Sequence, residues 1–338
     1  MKICKNCFND IEIANFIELS TSTGTSMSIE TCEVCGNNKC AVIDLDELSD
    51  YFVEFLGLFK KDDTGIPLIE IIKNDWNTFA TDHCANIIIS EICRQNRIAL
   101  APNDKVAYID DIQECLEMWE NIKKEVRKKF RYFTDIDLLE TYKFESNYEI
   151  KPDRILYRAR LLPEGKTMLP KEEMGCPPPE KATAGRANPI GIPYLYLCES
   201  IDTTFYETRS GYLDKIVIGE FCPIRKLNLI DFGTEVSLSQ AYFSPGTSCD
   251  MVQITKYKLL FAKISQDLSK PLRRYDTEME YVHTQLICEY CKKQGLDGIR
   301  FNSSLHIGGK NIVLFDEKDA KCTNVLLKEI QSVTIISD

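Results

Sequence analysis

Histidine and long apolar runs are both scarce in this 338-residue chain. It contains three histidines, and none forms a recognisable triad motif with a serine. A hydrolase in which Ser303 is the nucleophile and His283 or His306 its base therefore has little support. The apolar runs, such as Tyr194–Cys198, are far shorter than the roughly 20 residues that a membrane-spanning helix requires. We expect no membrane-spanning segment.

A basic excess is also missing. The chain has 41 Lys and Arg residues against 52 Asp and Glu residues, a formal net charge of −11. Such a surface repels phosphate, which argues against a general nucleic-acid binder or a binder of anionic membranes. The segment Met1–Cys7 lacks the apolar stretch of a secretory signal, so we expect a cytoplasmic protein. Its fifteen cysteines are odd in number and scattered, which does not suggest a disulfide framework.

Two CxxC pairs stand near the N-terminus, Cys4 with Cys7 and Cys32 with Cys35. Four thiolates at this spacing can surround a Zn²⁺ ion tetrahedrally, as in a zinc ribbon. A polar segment as short as residues 1–45 would hardly fold without such a staple. We therefore predict a zinc ribbon over 1–45, with a closed, structural Zn²⁺ that does not activate water.

Residues 46–148 are predicted to be mainly helical. The clearest helix begins near Asp110 and places apolar side chains at spacings of three and four residues. These are Ile112, Cys115, Leu116, Trp119, Ile122 and Val126. The opposite face is charged, as is usual for a solvated helix face.

Residues 149–338 alternate short β-branched or aromatic runs with turns and two helical segments, near 202–210 and 277–294. This pattern predicts an α+β fold with a mixed sheet. A doubly wound nucleotide-binding fold is disfavoured because no GxGxxG motif follows a strand.

The segment Gly185–Glu207 combines a turn rich in Gly and Pro, an apolar strand and the start of a helix. It presents one guanidinium group, on Arg186, and one carboxylate, on Glu207. Arginine offers forked donors to phosphate oxygens, and a carboxylate can stabilise a sugar carbon that becomes cationic. These residues indicate a phosphorylated sugar ligand.

Four blocks in order resemble the RES domain family: Ile155–Arg160, Gly185–Glu207, Leu296–Ser304 and Gly308–Phe315. The resemblance implies a fold similar to ADP-ribosyltransferases and cleavage of the nicotinamide–ribose bond of NAD⁺. It also implies a toxin or antiphage effector, restrained by an antitoxin or another regulatory partner. The helical region resembles the HEPN-type modules associated with this family but lacks the Arg and His pair of HEPN ribonucleases. We interpret it as a scaffold, a sensor or an oligomerisation surface, the last implying a homo-oligomer.

The resemblance also implies roles for individual residues. The catalytic set comprises Glu207, Arg158, Arg186 and Ser303, with Glu207 stabilising the ribose cation and the two arginines clamping the diphosphate or ribose. The substrate-binding set comprises Tyr196, Asn188, Arg160 and Asn311, although Asn188 and Asn311 can instead shape their turns. Arg158 and Arg160 share one face of a regular strand, so the sequence does not distinguish which of the two clamps the substrate.

Several alternatives stay open. The acceptor of ADP-ribose can be water, phosphate or, in an ADP-ribosyltransferase, a protein or nucleic acid. A catalytically inactive, zinc-dependent binding protein is a further alternative. The Pro-rich insert at 174–179 can be a lid, a binding ledge or a stiff connector.

Overall fold

Short runs that contain β-branched, leucine or aromatic residues form many of the strands of this protein. The structure is a computed structural model that describes residues 1–23, 29–142, 144–234, 236–244, 249–270 and 278–333. Its strands are β1 (Lys2–Ile3), β2 (Ile29–Glu30), β3 (Cys40–Ala41), β4 (Ile43–Asp44), β5 (Phe59–Pro67), β6 (Lys105–Tyr108), β7 (Tyr148–Ile150), β8 (Leu156–Leu161), β9 (Leu195–Cys198), β10 (Lys215–Pro223), β11 (Leu227–Asp231), β12 (Gly298–Asn302), β13 (Lys310–Leu314) and β14 (Ala320–Glu329). Its helices are α1 (Ile11–Thr23), α2 (Ser49–Leu56), α3 (Leu68–Ile71), α4 (Asp82–Asn96), α5 (Asp110–Lys128), α6 (Asp137–Thr141), α7 (Ile201–Glu207), α8 (Leu238–Phe243), α9 (Met251–Ser269) and α10 (Val282–Lys293).

The chain forms two compact units. Unit 1 comprises Met1–Leu116 and Glu235–Lys258, and unit 2 comprises Glu117–Thr234 and Leu259–Asp338. The divisions between them fall inside α5 and α9 and after residue 234. The three regions predicted from the sequence, 1–45, 46–148 and 149–338, do not coincide with these units and stay a prediction about domain organisation.

Unit 2 is built on a mixed sheet, as the sequence predicts. Among the described residues it has eight strands in the order β14-β10-β8-β9-β13-β12-β11-β7. The β11 and β12 pair is parallel and the other neighbours are antiparallel. The register of β9 on β13 sets Cys198 opposite Asn311, and that of β8 on β9 sets Tyr157 opposite Cys198. Three strands therefore converge on one place.

The core of unit 2 lies on one face of this sheet, because alternate strand residues point to the same side. Its buried members include Leu156, Leu195, Leu197, Val217, Phe221, Leu227, Leu229, Ile312 and Leu314. The opposite alternation leaves Tyr196 and Cys198 on the other face, where the strand registers also place Tyr157 and Asn311, whereas Arg158 shares the face of Leu156. The hydrophobic pattern of the strands therefore decides which polar residues share a surface.

Helix α5 confirms the strongest helical prediction. It begins at Asp110, where acidic residues suit the positive end of the helix dipole, and ends in Arg127 and Lys128. Five of the six predicted apolar positions, including Trp119 and Val126, are buried. The sixth, Leu116, is half-buried.

Unit 1 contains elements that the sequence did not predict. Helix α1 occupies most of the interval between the two CxxC pairs, and β5 pairs with β6 within the region expected to be helical. A cluster of aromatic rings packs the interior, with Phe52 in contact with Phe8, Phe55 and Phe79. Helix α9 and strand β14 were likewise not predicted.

Candidate active site

A cavity of about 340 Å³ opens in unit 2, with walls formed by β8, β9, β12, β13 and α7. Small-molecule sites commonly have volumes of roughly 300–1,000 Å³ and combine apolar walls with a few convergent polar groups. Among the predicted site residues, five line it: Arg158, Arg186, Tyr196, Glu207 and Asn311. The strands and α7 thus bring together side chains that lie far apart in sequence.

Glu207 is the last residue of α7, a short helix whose N-terminus is capped by Ser200. One carboxylate oxygen, Oε1, accepts hydrogen bonds from Ser303 Oγ and from Asn311 Nδ2, both at 2.7 Å. Two neutral donors on one oxygen fix the carboxylate without neutralising its charge. Glu207 is exposed at the wall of the cavity, so its negative charge can face a bound molecule.

Ser303 is connected to the cavity by the hydrogen bond that its Oγ donates to Glu207. Its Oγ accepts hydrogen bonds from the backbone N–H groups of Leu305 and His306, at 3.2 and 3.1 Å. Because a hydroxyl has one proton and two lone pairs, its proton is left for Glu207. The neighbouring Ser304 lines the cavity itself.

Asn311 is buried and contacts one side chain of α7 and one of β9. Its Nδ2 donates to Glu207, and its Oδ1 accepts from the Cys198 thiol at 3.3 Å. Burial, with the Glu207 charge nearby, raises the pKa of Cys198 to about 12. The thiol therefore keeps its proton at neutral pH and remains a donor.

Arg158 extends from β8 into the cavity wall. Its Nη1 is buried and has no hydrogen-bond partner among the described residues. Burial and the neighbouring Arg160 guanidinium lower the pKa of Arg158. A buried donor without a partner is costly, and its place at a cavity suits an anionic ligand.

Arg160 lies on the same face of β8, as the alternation predicts, but is absent from the cavity wall. Its Nη2 donates to the carbonyl of Gly175 at 2.5 Å, within the Pro-rich insert. The same insert is held by Glu317, whose Oε2 accepts from the Cys176 N–H at 2.9 Å. The geometry thus connects Arg160 with the insert and Arg158 with the cavity.

Contacts within the turn that precedes β9 account for the residues found at Gly185–Asn188. The Tyr196 hydroxyl accepts from Ala187 N at 3.0 Å and donates to Asn188 Oδ1 at 2.8 Å. A Cβ on Gly185 would lie 2.6 Å from this hydroxyl, so only glycine fits. Asn188 is buried and is absent from the cavity wall, so it contacts the turn rather than the cavity.

Arg186, at the tip of this turn, lines the cavity and is also anchored. Its Nη1 donates to the Leu268 carbonyl at 2.7 Å, and its own carbonyl accepts from Thr284 Oγ1 at 2.6 Å. The turn is therefore fastened to α9 and α10.

Other cavity residues were missed by the sequence analysis, among them Tyr157, Thr204 and Tyr281. Thr204 precedes Glu207 by three residues, so helical spacing alone could have placed it on the same face. Tyr281 is far in sequence from α7 and β9, and no local pattern around it predicts a place in the cavity wall.

The four predicted metal ligands lie together in unit 1. The sulfur atoms of Cys4, Cys7, Cys32 and Cys35 are all within 4.8 Å of one another. The Sγ atoms of Cys4 and Cys35, and those of Cys7 and Cys32, are 3.5 Å apart. Tetrahedral zinc with Zn–S bonds of about 2.3 Å separates its sulfur ligands by about 3.8 Å. The donor set and its spacing therefore fit such an ion.

Comparison with known proteins gives two findings. The family model described as "RES domain" matches residues 155–335, which include every residue of the cavity wall. A chain of the MbcT–MbcA toxin–antitoxin complex of M. tuberculosis is similar over 57% of this chain and 93% of its own length, at 11% identity and a TM-score of 0.34. This likeness is too low to extend that protein's function to the present chain. No curated protein matches the sequence.

In the described parts of the chain, no helix has the length and hydropathy needed to cross a bilayer.

Proposed function

Because the chain belongs to the RES domain family, we propose that it consumes NAD⁺ by cleaving the bond between nicotinamide and ribose. One observation carries the proposal. A carboxylate, Glu207, is held by two neutral donors at the wall of a cavity that Arg158 also lines, and Arg158 carries a buried N–H group without a hydrogen-bond partner among the described residues. A carboxylate for a sugar cation and a guanidinium for phosphate are what the dinucleotide requires.

The proposed reaction does not require a general acid. Nicotinamide departs as a neutral ring with the electron pair of the C–N bond, so no acid need protonate it. The ribose carbon becomes oxocarbenium-like, and the Glu207 carboxylate stabilises that positive charge. An oxygen of the acceptor then bonds to this carbon, and its proton passes to Glu207 or to solvent.

The remaining residues bind and orient in this proposal. Arg158 is the principal anchor of the diphosphate because its Nη1 has no hydrogen-bond partner within the described parts of the chain. Arg186 is a second anchor, and its contact with Leu268 restrains its position. The ring of Tyr196 is a stacking surface, since its hydroxyl is already engaged by the turn.

The acceptor in our proposal is water or phosphate, which makes the protein a glycohydrolase or a phosphorylase. In the cytoplasm such an activity would deplete NAD⁺, as expected of a toxin or antiphage effector. We further propose that a partner protein, or residues 1–148, keep it silent until it is needed. Self-association through the helical region is part of the same proposal.

We also propose that Cys4, Cys7, Cys32 and Cys35 bind a structural Zn²⁺. All four positions are taken by protein thiolates, so the ion would hold the fold of unit 1 and take no part in the reaction.

The test is turnover of NAD⁺ by the purified protein, with products separated by chromatography, in the presence and absence of phosphate. We expect nicotinamide release, and expect ADP-ribose 1″-phosphate only if phosphate is the acceptor.

Glu207→Gln should lose roughly 10²- to 10⁴-fold in rate, because it keeps the shape of the side chain but removes its charge. Asp202→Asn, an exposed position on the same helix, is the matched control. Full activity of Glu207→Gln would refute the role of Glu207, and an intact NAD⁺ pool with the wild-type protein would refute the proposed function.

A further inference from the structure

His306 lies three residues after Ser303, in the turn that joins β12 to β13. Its backbone N–H donates to Ser303 Oγ at 3.1 Å, and its carbonyl accepts from Gly309 N at 2.9 Å. The turn closes where Ser303 N donates to the Gly309 carbonyl at 2.9 Å. His306 is therefore part of the backbone frame that orients the Ser303 hydroxyl toward Glu207.

The side chain of His306 leaves this turn and contacts α7. Its Nδ1 shares a hydrogen bond of 2.9 Å with Thr203 Oγ1. Its ring also stacks on Tyr206, with centroids 4.6 Å apart and planes inclined by 4°. Both partners belong to the helix that carries Glu207.

The position of Thr203 makes the contact significant for Glu207. The two residues are four apart in α7, so they lie on the same side of the helix, one turn from each other. Thr203 is fully buried, which gives the hydrogen bond a rigid anchor. A Cβ on Gly309 would lie 2.8 Å from both His306 Nδ1 and Thr203 Oγ1. Only glycine allows the turn to come this close to the helix.

We propose that His306 is a positioning residue: its hydrogen bond with Thr203 holds the Ser303 turn on α7, so that the Ser303 hydroxyl meets the Glu207 carboxylate. The inference rests on the proposed function for its catalytic consequence. The sequence gave little support to a role for His306 as a base acting on Ser303. The imidazole instead points to Thr203, and the Ser303 proton goes to Glu207.

The test compares two substitutions of His306 that separate its contacts. His306→Asn keeps a polar group at the place of Nδ1 and loses the ring stack. His306→Phe keeps the stack and loses the hydrogen bond. We expect His306→Phe to lower kcat roughly 10- to 100-fold with little change in KM, because small misplacements of reacting groups cost up to about 10² in rate. His306→Asn should retain a kcat within about threefold of the wild type.

Thr203→Val removes the same hydrogen bond from the other side and covers the case in which a His306 variant misfolds. If the two side chains act together, the double variant His306→Phe with Thr203→Val should lose no more activity than either single variant. His83→Phe, at an exposed position in unit 1, is the control. Wild-type kcat in His306→Phe, or fully additive losses in the double variant, would overturn the proposal.

A readout independent of catalysis separates this inference from the proposed function. Amide hydrogen exchange over residues 303–309 should be faster in His306→Phe and return toward the wild-type rate in His306→Asn. If the wild type proved inactive on NAD⁺ while this pattern appeared, the proposed function would fail and the positioning role would stand. Unchanged exchange in His306→Phe would contradict the positioning role whatever the activity.

Discussion

At the scale of single residues, Cys198 and Asn311 show how one side chain determines what its neighbour presents. An asparagine amide can offer either its carbonyl or its N–H₂ group to a neighbour. The Cys198 thiol donates to Oδ1, which leaves Nδ2 for Glu207. The raised pKa of Cys198, about 12, keeps the thiol a donor at neutral pH. The Cys198 thiol therefore orients the Glu207 carboxylate indirectly, through Asn311.

Substitution of Cys198 should therefore affect turnover according to the donor that remains. Cys198→Ser keeps an O–H donor and should stay within about threefold of the wild-type NAD⁺ turnover, whereas Cys198→Val keeps the bulk and should lose about tenfold. Steady-state kinetics with melting temperatures of both variants measures this. Equal activity of the two variants would mean that the thiol does not orient Asn311.

At the scale of elements, α5, α9 and α10 meet around one carboxylate in unit 2. Asp267 of α9 accepts hydrogen bonds from Trp119 Nε1 at 3.1 Å and from Lys123 Nζ at 3.0 Å, and lies 3.7 Å from His283 Nε2. Burial alone would raise the pKa of Asp267, but His283 and Lys123 outweigh it and lower the pKa to about 2. The next residue, Leu268, accepts from Arg186. The helix junction is thus adjacent to the cavity wall.

Asp267→Asn should destabilise unit 2 by about 2 kcal/mol at pH 7. Because the folded-state pKa lies below the unfolded one, the ionised carboxylate contributes its full stability above about pH 4. That contribution is lost as the pH falls toward 2. Chemical denaturation at pH 7, 4 and 3 measures the difference from the wild type, which should shrink as the pH falls. Asp153→Asn, at an exposed position, is the control, and a difference that does not change with pH would contradict the assignment.

At the scale of the whole molecule, the four-cysteine cluster is integrated into unit 1 rather than standing alone. The carbonyl of Cys7 accepts from Ala80 N at 3.0 Å, and Asn9 N donates to the carbonyl of Thr78 at 3.0 Å. Phe8 packs on Phe52 and Phe79. A metal ion at the cluster would therefore stabilise contacts well beyond residue 45.

We expect the purified protein to contain about one zinc per chain and to unfold at a lower temperature after chelation, since structural zinc contributes directly to folding free energy. Cys7→Ser should lose most of the metal. Cys40→Ser should keep it, because the Cys40 thiol contacts the carbonyl of Asn37 and is outside the cluster. Elemental analysis and thermal unfolding measure both effects. A metal-free wild type with an unchanged melting temperature would contradict the zinc proposal.

Short-range patterns in the sequence are sufficient to predict part of this fold. The period of three and four residues specified α5, short aliphatic and aromatic runs indicated β9 and β11, and the CxxC spacing specified the four cysteines that cluster. Four ordered blocks were enough to indicate the family, because each block keeps residues that the local turn or strand requires. Helix α1 was not predicted although Ile13 and Ile17 stand one turn apart in it and are both buried, and β14, whose residues are mostly exposed, was not predicted either.

The packing of strands and helices fixes which distant side chains meet. Glu207 is separated from Ser303 by 96 residues and from Asn311 by 104, and local periodicity contains no information about such pairs. Strand order supplies it: β9 lies between β8 and β13, and the β9–β13 register sets Cys198 against Asn311. The same packing turned Arg160 to the insert and His306 to Thr203, because a side chain's partner is fixed by the elements that pack against it.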